Sequence, residues 1–218
     1  MKQKVAWLAK GPDLNTDFSE LINLVGVPTL LLCDKPYGKA RFVSKMITEA
    51  LRKGGTIYYI DLDVSFSAYL QGGLLDVPNP ERLLLFNPTN LTMDEVISYI
   101  CATFSRGSET IVFDSASTLY HIFAGQQSAA EINHRLGLYL ALLQGRISQC
   151  NGTLLVTSMI RAKKVGGSSW VQSYPGGRVL MTRGKVIYNI WQINHHLDVK
   201  ILKHINQSLE GRLMRLPL

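Results

Sequence analysis

Short, continuous apolar runs alternate along this chain with stretches of helical periodicity. The runs at 29–33, 56–61, 83–86, 110–114, 153–158, 179–183, 186–193 and 200–204 are four to eight residues long and predict strands. Apolar residues at three- and four-residue spacing predict helices over 17–25, 39–53, 93–104 and 128–149, with a shorter one over 68–72. Strands that are apolar at nearly every position, separated by helices, imply a mostly parallel sheet covered on both faces. The last three runs have no helix between them and predict an antiparallel C-terminal extension. Thr92, followed three residues later by Glu95, has the spacing of a capping box opening the 93–104 helix. No repeat, low-complexity tract or linker interrupts the rhythm, so the expectation is one α/β domain covering residues 1–218.

Composition narrows the class. With 218 residues, 46% of them hydrophobic, the chain can bury a full core without covalent staples. Its three cysteines, Cys33, Cys101 and Cys150, are odd in number and scattered. They match neither a disulfide framework nor metal-ligand spacing, which points to a reducing cytoplasm and no structural metal. Neither a leader pattern after Met1 nor an apolar run of about 18 residues is present. The net charge of +7 is unevenly spread: residues 1 to 131 hold 14 acidic and 11 basic side chains, whereas 132 to 197 hold eight basic and no acidic ones. A polyanion would feel that asymmetry.

Candidate chemistry begins at LLCDKPYGKAR, residues 31 to 41. A strand, a turn with Gly38-Lys39 and a helix make the layout of a phosphate-binding loop, G-x-x-x-x-G-K-[ST]. Cys33 stands at the first glycine and Ala40 at the magnesium-binding hydroxyl. Asp34, Lys35, Pro36, Tyr37, Gly38, Lys39 and Ala40 are the nucleotide-site candidates; a plain strand–turn–helix junction is the alternative. Asp114 closes the run Thr110-Ile-Val-Phe-Asp114, where such sites keep a magnesium-side carboxylate, although an Asp there can also be a simple cap.

Four stretches, taken in order, carry a family resemblance. Tyr58-Tyr-Ile-Asp61-Leu-Asp63-Val-Ser-Phe66, then IVFDSASTLYH, then NGTLLVTSMIRAKK and finally SYPGGRVLMTRGKVIYNIWQI resemble successive segments of the RecA/RadA recombinase ATPases. The resemblance runs from about residue 25 to the C-terminus. It implies a RecA-like phosphate-loop ATPase core, with ATP or ADP and magnesium as cofactors. It also implies that Asp63 occupies the position of the glutamate that activates the attacking water, and Met159 that of the glutamine sensing the terminal phosphate. Asp is one methylene shorter, which retracts its oxygens by roughly 1.5 Å, and a misplacement of about 1 Å can cost roughly 100-fold in rate. With Cys33 and Ala40 these make four departures, so hydrolysis is expected to be weak or absent and nucleotide binding weak.

The segment after the 153–158 run reads Arg161-Ala-Lys-Lys-Val-Gly-Gly-Ser-Ser-Trp-Val-Gln-Ser-Tyr-Pro-Gly-Gly. Clustered cations, glycines and aromatic rings suit a single strand of nucleic acid, by phosphate neutralisation and base stacking. In the resembled family this is a DNA-binding loop. Arg161, Lys163, Lys164, Trp170 and Tyr174 are therefore candidates for the DNA contact, extended by Arg178 and Arg183. The family's other DNA-facing loop falls at about 121–133, which has no cation between 122 and 133. The resemblance places residue 1 close to the ATPase core, so RadA's helical N-terminal domain is not expected, and the one F-x-x-A, Phe113-Asp-Ser-Ala116, falls in a predicted strand.

The chain thus looks like the short archaeal RadA-like paralogues: a DNA-binding accessory factor in homologous recombination and repair, with single-stranded DNA, or double-stranded DNA as the alternative, and a RadA-type recombinase or another paralogue as partners. Two other readings remain, an active ATPase or KaiC-like switch and a structural subunit of a paralogue complex.

Overall fold

The computed structural model describes residues 18, 21, 24–105, 109–165 and 169–217. Four βα units, the fourth with two helices, and a fifth strand lead in: β1 (Pro28–Cys33), α1 (Pro36–Arg52), β2 (Ile57–Asp61), α2 (Ser65–Gln71), β3 (Leu83–Phe86), α3 (Met93–Thr103), β4 (Thr110–Asp114), α4 (Ala116–Ile122), α5 (Ala129–Cys150) and β5 (Thr153–Met159). A hairpin follows, β6 (Arg161–Val165) and β7 (Ser169–Ser173), then α6 (Gly177–Arg183), β8 (Val186–Ile193), β9 (His196–Lys203) and β10 (Leu213–Pro217). The main sheet has eight strands in the order β10-β9-β8-β1-β5-β4-β2-β3. The pairs from β3 to β8 are parallel, and β9 and β10 extend the sheet antiparallel.

Strand alternation divides the core. Leu31, Cys33, Ile57, Tyr59, Val112 and Leu155 face one side, where Phe42, Val43 and Ile47 of α1 and Phe66 of α2 cover them. Their neighbours Leu30, Leu32, Tyr58, Ile60, Ile111 and Phe113 face the other, under α3, α4, α5 and α6. A strand with both faces buried needs apolar residues at every position, which is why these strands read as unbroken runs.

Several local expectations are corrected. The run at 179–183 is the helix α6, not a strand: only Leu180 is buried, and Met181 is exposed. One anchor suits a helical turn, whereas a central strand would bury more. Gly176, at φ +72, starts that helix where a Cβ would stand 2.8 Å from Leu136. Thr92 caps nothing; its hydroxyl accepts from the Thr89 backbone N–H at 2.9 Å. The capping box belongs to Ser128 and Glu131 at the start of α5, where each side chain bonds the other's backbone N–H. The segment after β5, read as an open loop, pairs as the hairpin β6–β7. The 200–204 run begins earlier, at His196, and β10 was not foreseen. The helix expected over 17–25 lies largely outside the described residues. No helix among the described residues is long and apolar enough to cross a membrane.

The turn from α5 into β5 fixes how that helix meets the sheet. Asn151 takes a left-handed conformation, and Gly152 lies against the buried Phe104 ring, where an added Cβ would overlap ring atoms. Gly152→Ala should therefore destabilise the protein by about 1–3 kcal/mol, read as a lower urea midpoint at unchanged slope.

Candidate functional site

The C-terminal ends of β1, β2, β4 and β5 bring together the groups expected to carry chemistry. Lys39 is completely buried although it sits in the first turns of α1. Its ammonium donates to Asp114 Oδ1 at 2.5 Å and to Asp63 Oδ2 at 2.8 Å. Asp114 also accepts from the Tyr59 hydroxyl and from Thr157 Oγ1, each at 2.5 Å. Asp63 is held from the other side by Ser65, through its N–H at 3.1 Å and its hydroxyl at 2.5 Å. The sequence thus places its chemistry by strand alternation: Tyr59 and Thr157 occupy positions that point toward the same strand-end carboxylate.

Asp61, Asp63 and Asp114 form a cluster whose nearest oxygens all lie within 4.8 Å of one another. Within it, Asp61 Oδ2 accepts from the Ser67 N–H and hydroxyl, both at 2.7 Å, while its other oxygen is buried without a partner. Burial, followed by the Asp114 and Asp63 charges, pushes the Asp61 carboxyl above its ordinary range despite the Ser67 bonds. Burial acts the same way on Asp63, but the Lys39 ammonium outweighs it and holds that carboxyl low. For Lys39, burial disfavours the charge, yet Asp114 and Asp63 more than compensate, and the group stays protonated. Burial also keeps the Cys33 thiol and the Tyr59 phenol protonated.

The loop itself is tightly wound. Helix α1 begins at Pro36, with Lys35 as its N-cap, so the Lys39 N–H is bonded at 3.0 Å to the Lys35 carbonyl. Asp34 is exposed, and its carboxylate accepts from the Gln192 N–H of β8 at 3.2 Å. Gly38 is packed under the same strand: a Cβ there would meet the Gln192 Cβ at 3.2 Å and Leu197 at 3.3 Å. Lys35 and Pro36 point outward, Tyr37 makes an edge-on contact with Tyr69 at 5.5 Å, and Ala40 is buried. Of the loop candidates, only Lys39 therefore joins Asp63 and Asp114. Met159, half-buried, pairs in register with Cys33, and its N–H bonds Ser117.

Away from this centre, the basic segment forms the antiparallel hairpin, with Lys164 opposite Trp170 and Lys163 opposite Val171. At its base, Arg161 lies in hydrogen-bond contact with His121 Nε2 at 2.5 Å. Tyr174 is half-buried against the core, and Gly177 leaves room for its ring. Arg178 and Arg183 lie on α6. Tyr59, Thr157 and Asp61 were not singled out from the sequence, although a threonine inside the apolar run Leu154-Leu-Val-Thr157 is the kind of polar interruption that marks a buried partner.

Sheet order, helices on both faces and the antiparallel C-terminal strands define a RecA-like phosphate-loop ATPase fold. No protein-family model matches the chain, and no curated protein sequence matches it. Among solved structures, the crystal structure of the RadB recombinase superposes with a TM-score of 0.65, covering 89% of this chain and 88% of that one at 17% identity. That likeness speaks for the fold.

Two variants test the electrostatics. Lys39→Met removes the one cation between buried carboxylates and should destabilise the protein by about 3–5 kcal/mol, seen in denaturant unfolding. Asp61→Asn should act in the opposite direction at neutral pH. The Asp61 carboxyl is raised in the folded state, so its ionisation weakens folding above that value and has no effect below the ordinary value of about 3.9. The Asn variant should thus be the more stable at pH 7, with its advantage vanishing as the pH falls to 4.

Proposed function

We propose that this protein is a DNA-binding accessory factor of homologous recombination built on a recombinase core, with little or no ATP hydrolysis. The observation that carries the reading is the hairpin register. It sets Lys163 and Lys164 on one strand against Val171 and Trp170 on the other, inside a 66-residue stretch with no acidic side chain. A register that opposes Lys164 to Trp170 pairs a residue type that neutralises phosphate with one that stacks on bases, a combination suited to single-stranded nucleic acid. The likeness to a recombinase crystal structure supports recombination and repair as the setting and a RadA-type recombinase or another paralogue as the partner.

The closed loop supports the second half of the proposal. A triphosphate needs a free lysine, whereas here the Lys39 ammonium is committed to two carboxylates. Asp34, an added negative charge, stands in the loop. The residues present do not fit a bound triphosphate in this arrangement, so ATP or ADP with magnesium binds weakly at most.

The test is a titration of labelled single- and double-stranded oligonucleotides at several salt concentrations, with and without ATP and magnesium. Single strands should bind more tightly, and the affinity should not depend on nucleotide. Lys163→Ala with Lys164→Ala should lower single-strand affinity and reduce the salt slope by about 1.4, from roughly 0.7 per lost phosphate contact. Trp170→Ala should cost about 1–3 kcal/mol of binding. Steady phosphate release from ATP would overturn the assignment in favour of an ATPase or switch; no binding of any oligonucleotide would favour a structural subunit.

A further inference from the structure

A furrow of about 520 Å³ runs between α5 and α6, on the face of the sheet opposite α1. Gly137 and Gln144 of α5 form one wall; Arg178, Thr182 and Arg183 of α6, with Lys185 just beyond it, form the other. Arg178 and Lys185 are exposed and Arg183 is half-buried. Among the described residues none of these three side chains has an ion-pair or hydrogen-bond partner. Every residue that walls the furrow lies in the stretch 132–197, which contains no Asp or Glu. Three like charges converging without compensation repel one another, a cost that a ligand bringing negative charge would reverse.

Gly137 is a second, independent sign. A glycine inside a helix costs roughly 0.5–1 kcal/mol relative to alanine, and α5 is a 22-residue helix. Packing does not require it, because a Cβ there would touch only Val179 Cγ1, at an ordinary 3.9 Å. A bare helix surface between cations instead allows a ligand's own backbone to come close. Gln144 lies two turns further along, on the same side of the helix.

We propose that this furrow is a second anchor for a phosphodiester backbone, continuing the path of a strand held by the β6–β7 hairpin. This rests on the reading of the hairpin as the DNA contact. Arginine forks match phosphate oxygens in a bidentate way, and Val179 offers an apolar surface for sugars. Arg178 lies eight residues beyond Trp170, so the two anchors are at most about 29 Å apart along the chain. The protein thus holds one strand in two places, which favours long over short oligonucleotides.

The experiment measures anisotropy of a long single-stranded oligonucleotide across a salt series. It compares the wild type, the hairpin double variant, and a furrow triple variant carrying Arg178→Gln, Arg183→Gln and Lys185→Gln. The furrow variant should lose at least tenfold in affinity and about 2 in salt slope, from roughly 0.7 per lost contact, while a short oligonucleotide loses less. Gly137→Leu, which fills the furrow, keeps every charge and favours helix, should also weaken binding, with an equal or higher melting temperature. An unchanged salt slope in the folded triple variant, or full affinity for Gly137→Leu, would overturn the furrow and leave the hairpin standing. If only the furrow variants lose affinity, the hairpin reading fails instead. Loss of binding to an acidic peptide, with none to the oligonucleotide, would reject nucleic acid as the occupant.

Discussion

The ammonium of Lys39, enclosed between Asp114 and Asp63, is the interaction on which this architecture turns. It joins the first helix to the ends of β4 and β2, and through Thr157 and Tyr59 the same carboxylate reaches β5 and the middle of β2. Enclosing a charge this way is costly in desolvation, and it is tolerated only when every donor and acceptor is satisfied. Asp114 meets that condition with three donors. Asp61 does not, since one of its oxygens is buried and unpartnered. Three carboxylates sharing one ammonium leave an excess of negative charge, and the raised Asp61 carboxyl is the group best placed to relieve it by taking a proton.

The same knot accounts for the form of the loop. In an open phosphate loop the lysine waits for an anion, and the amides ahead of it curve around the phosphates. Here α1 starts three residues before Lys39, whose own N–H is bonded to the Lys35 carbonyl and whose ammonium rests on the carboxylates. Asp34 and Gly38 then lock against β8, with the Gln192 backbone as donor and its side chain as lid. Cys33 and Ala40 add apolar packing where a cradle would be hollow, and Asp63 is of a length to reach the lysine while Ser65 turns it inward.

Much of the fold could be read from the chain because its parallel strands are buried on both faces, so their boundaries coincide with apolar runs; β3, β4 and β8 begin and end where the runs do. The failures have separate causes. Val179-Leu-Met is as apolar as a strand, but Gly176 and a single buried leucine make it a helical turn. Two sites have capping-box spacing, and only Ser128 uses it, because Thr92 is engaged by Thr89. The β6–β7 pairing was hidden under glycines and charges that read as loop. Of the site, the lysine and two aspartates were legible as motif positions. Their direct pairing was not, since it depends on residues 24 and 75 positions apart meeting at strand ends.

Closure also explains how one scaffold could separate binding from turnover. A ligand that needs a minor, open state sees its affinity reduced by the fraction of molecules in that state. If the Lys39 contacts favour closure by about 3 kcal/mol, nucleotide affinity falls by roughly 150-fold before any phosphate contact is made. The cations of the second half carry no such penalty. Arg178 and Arg183 lie on α6, away from the strand-end carboxylates, in a stretch without Asp or Glu. Charge is therefore sorted by location: the strand-end carboxylates share one ammonium inside, where they bind the fold together, and the arginines of α6 lie outside that centre.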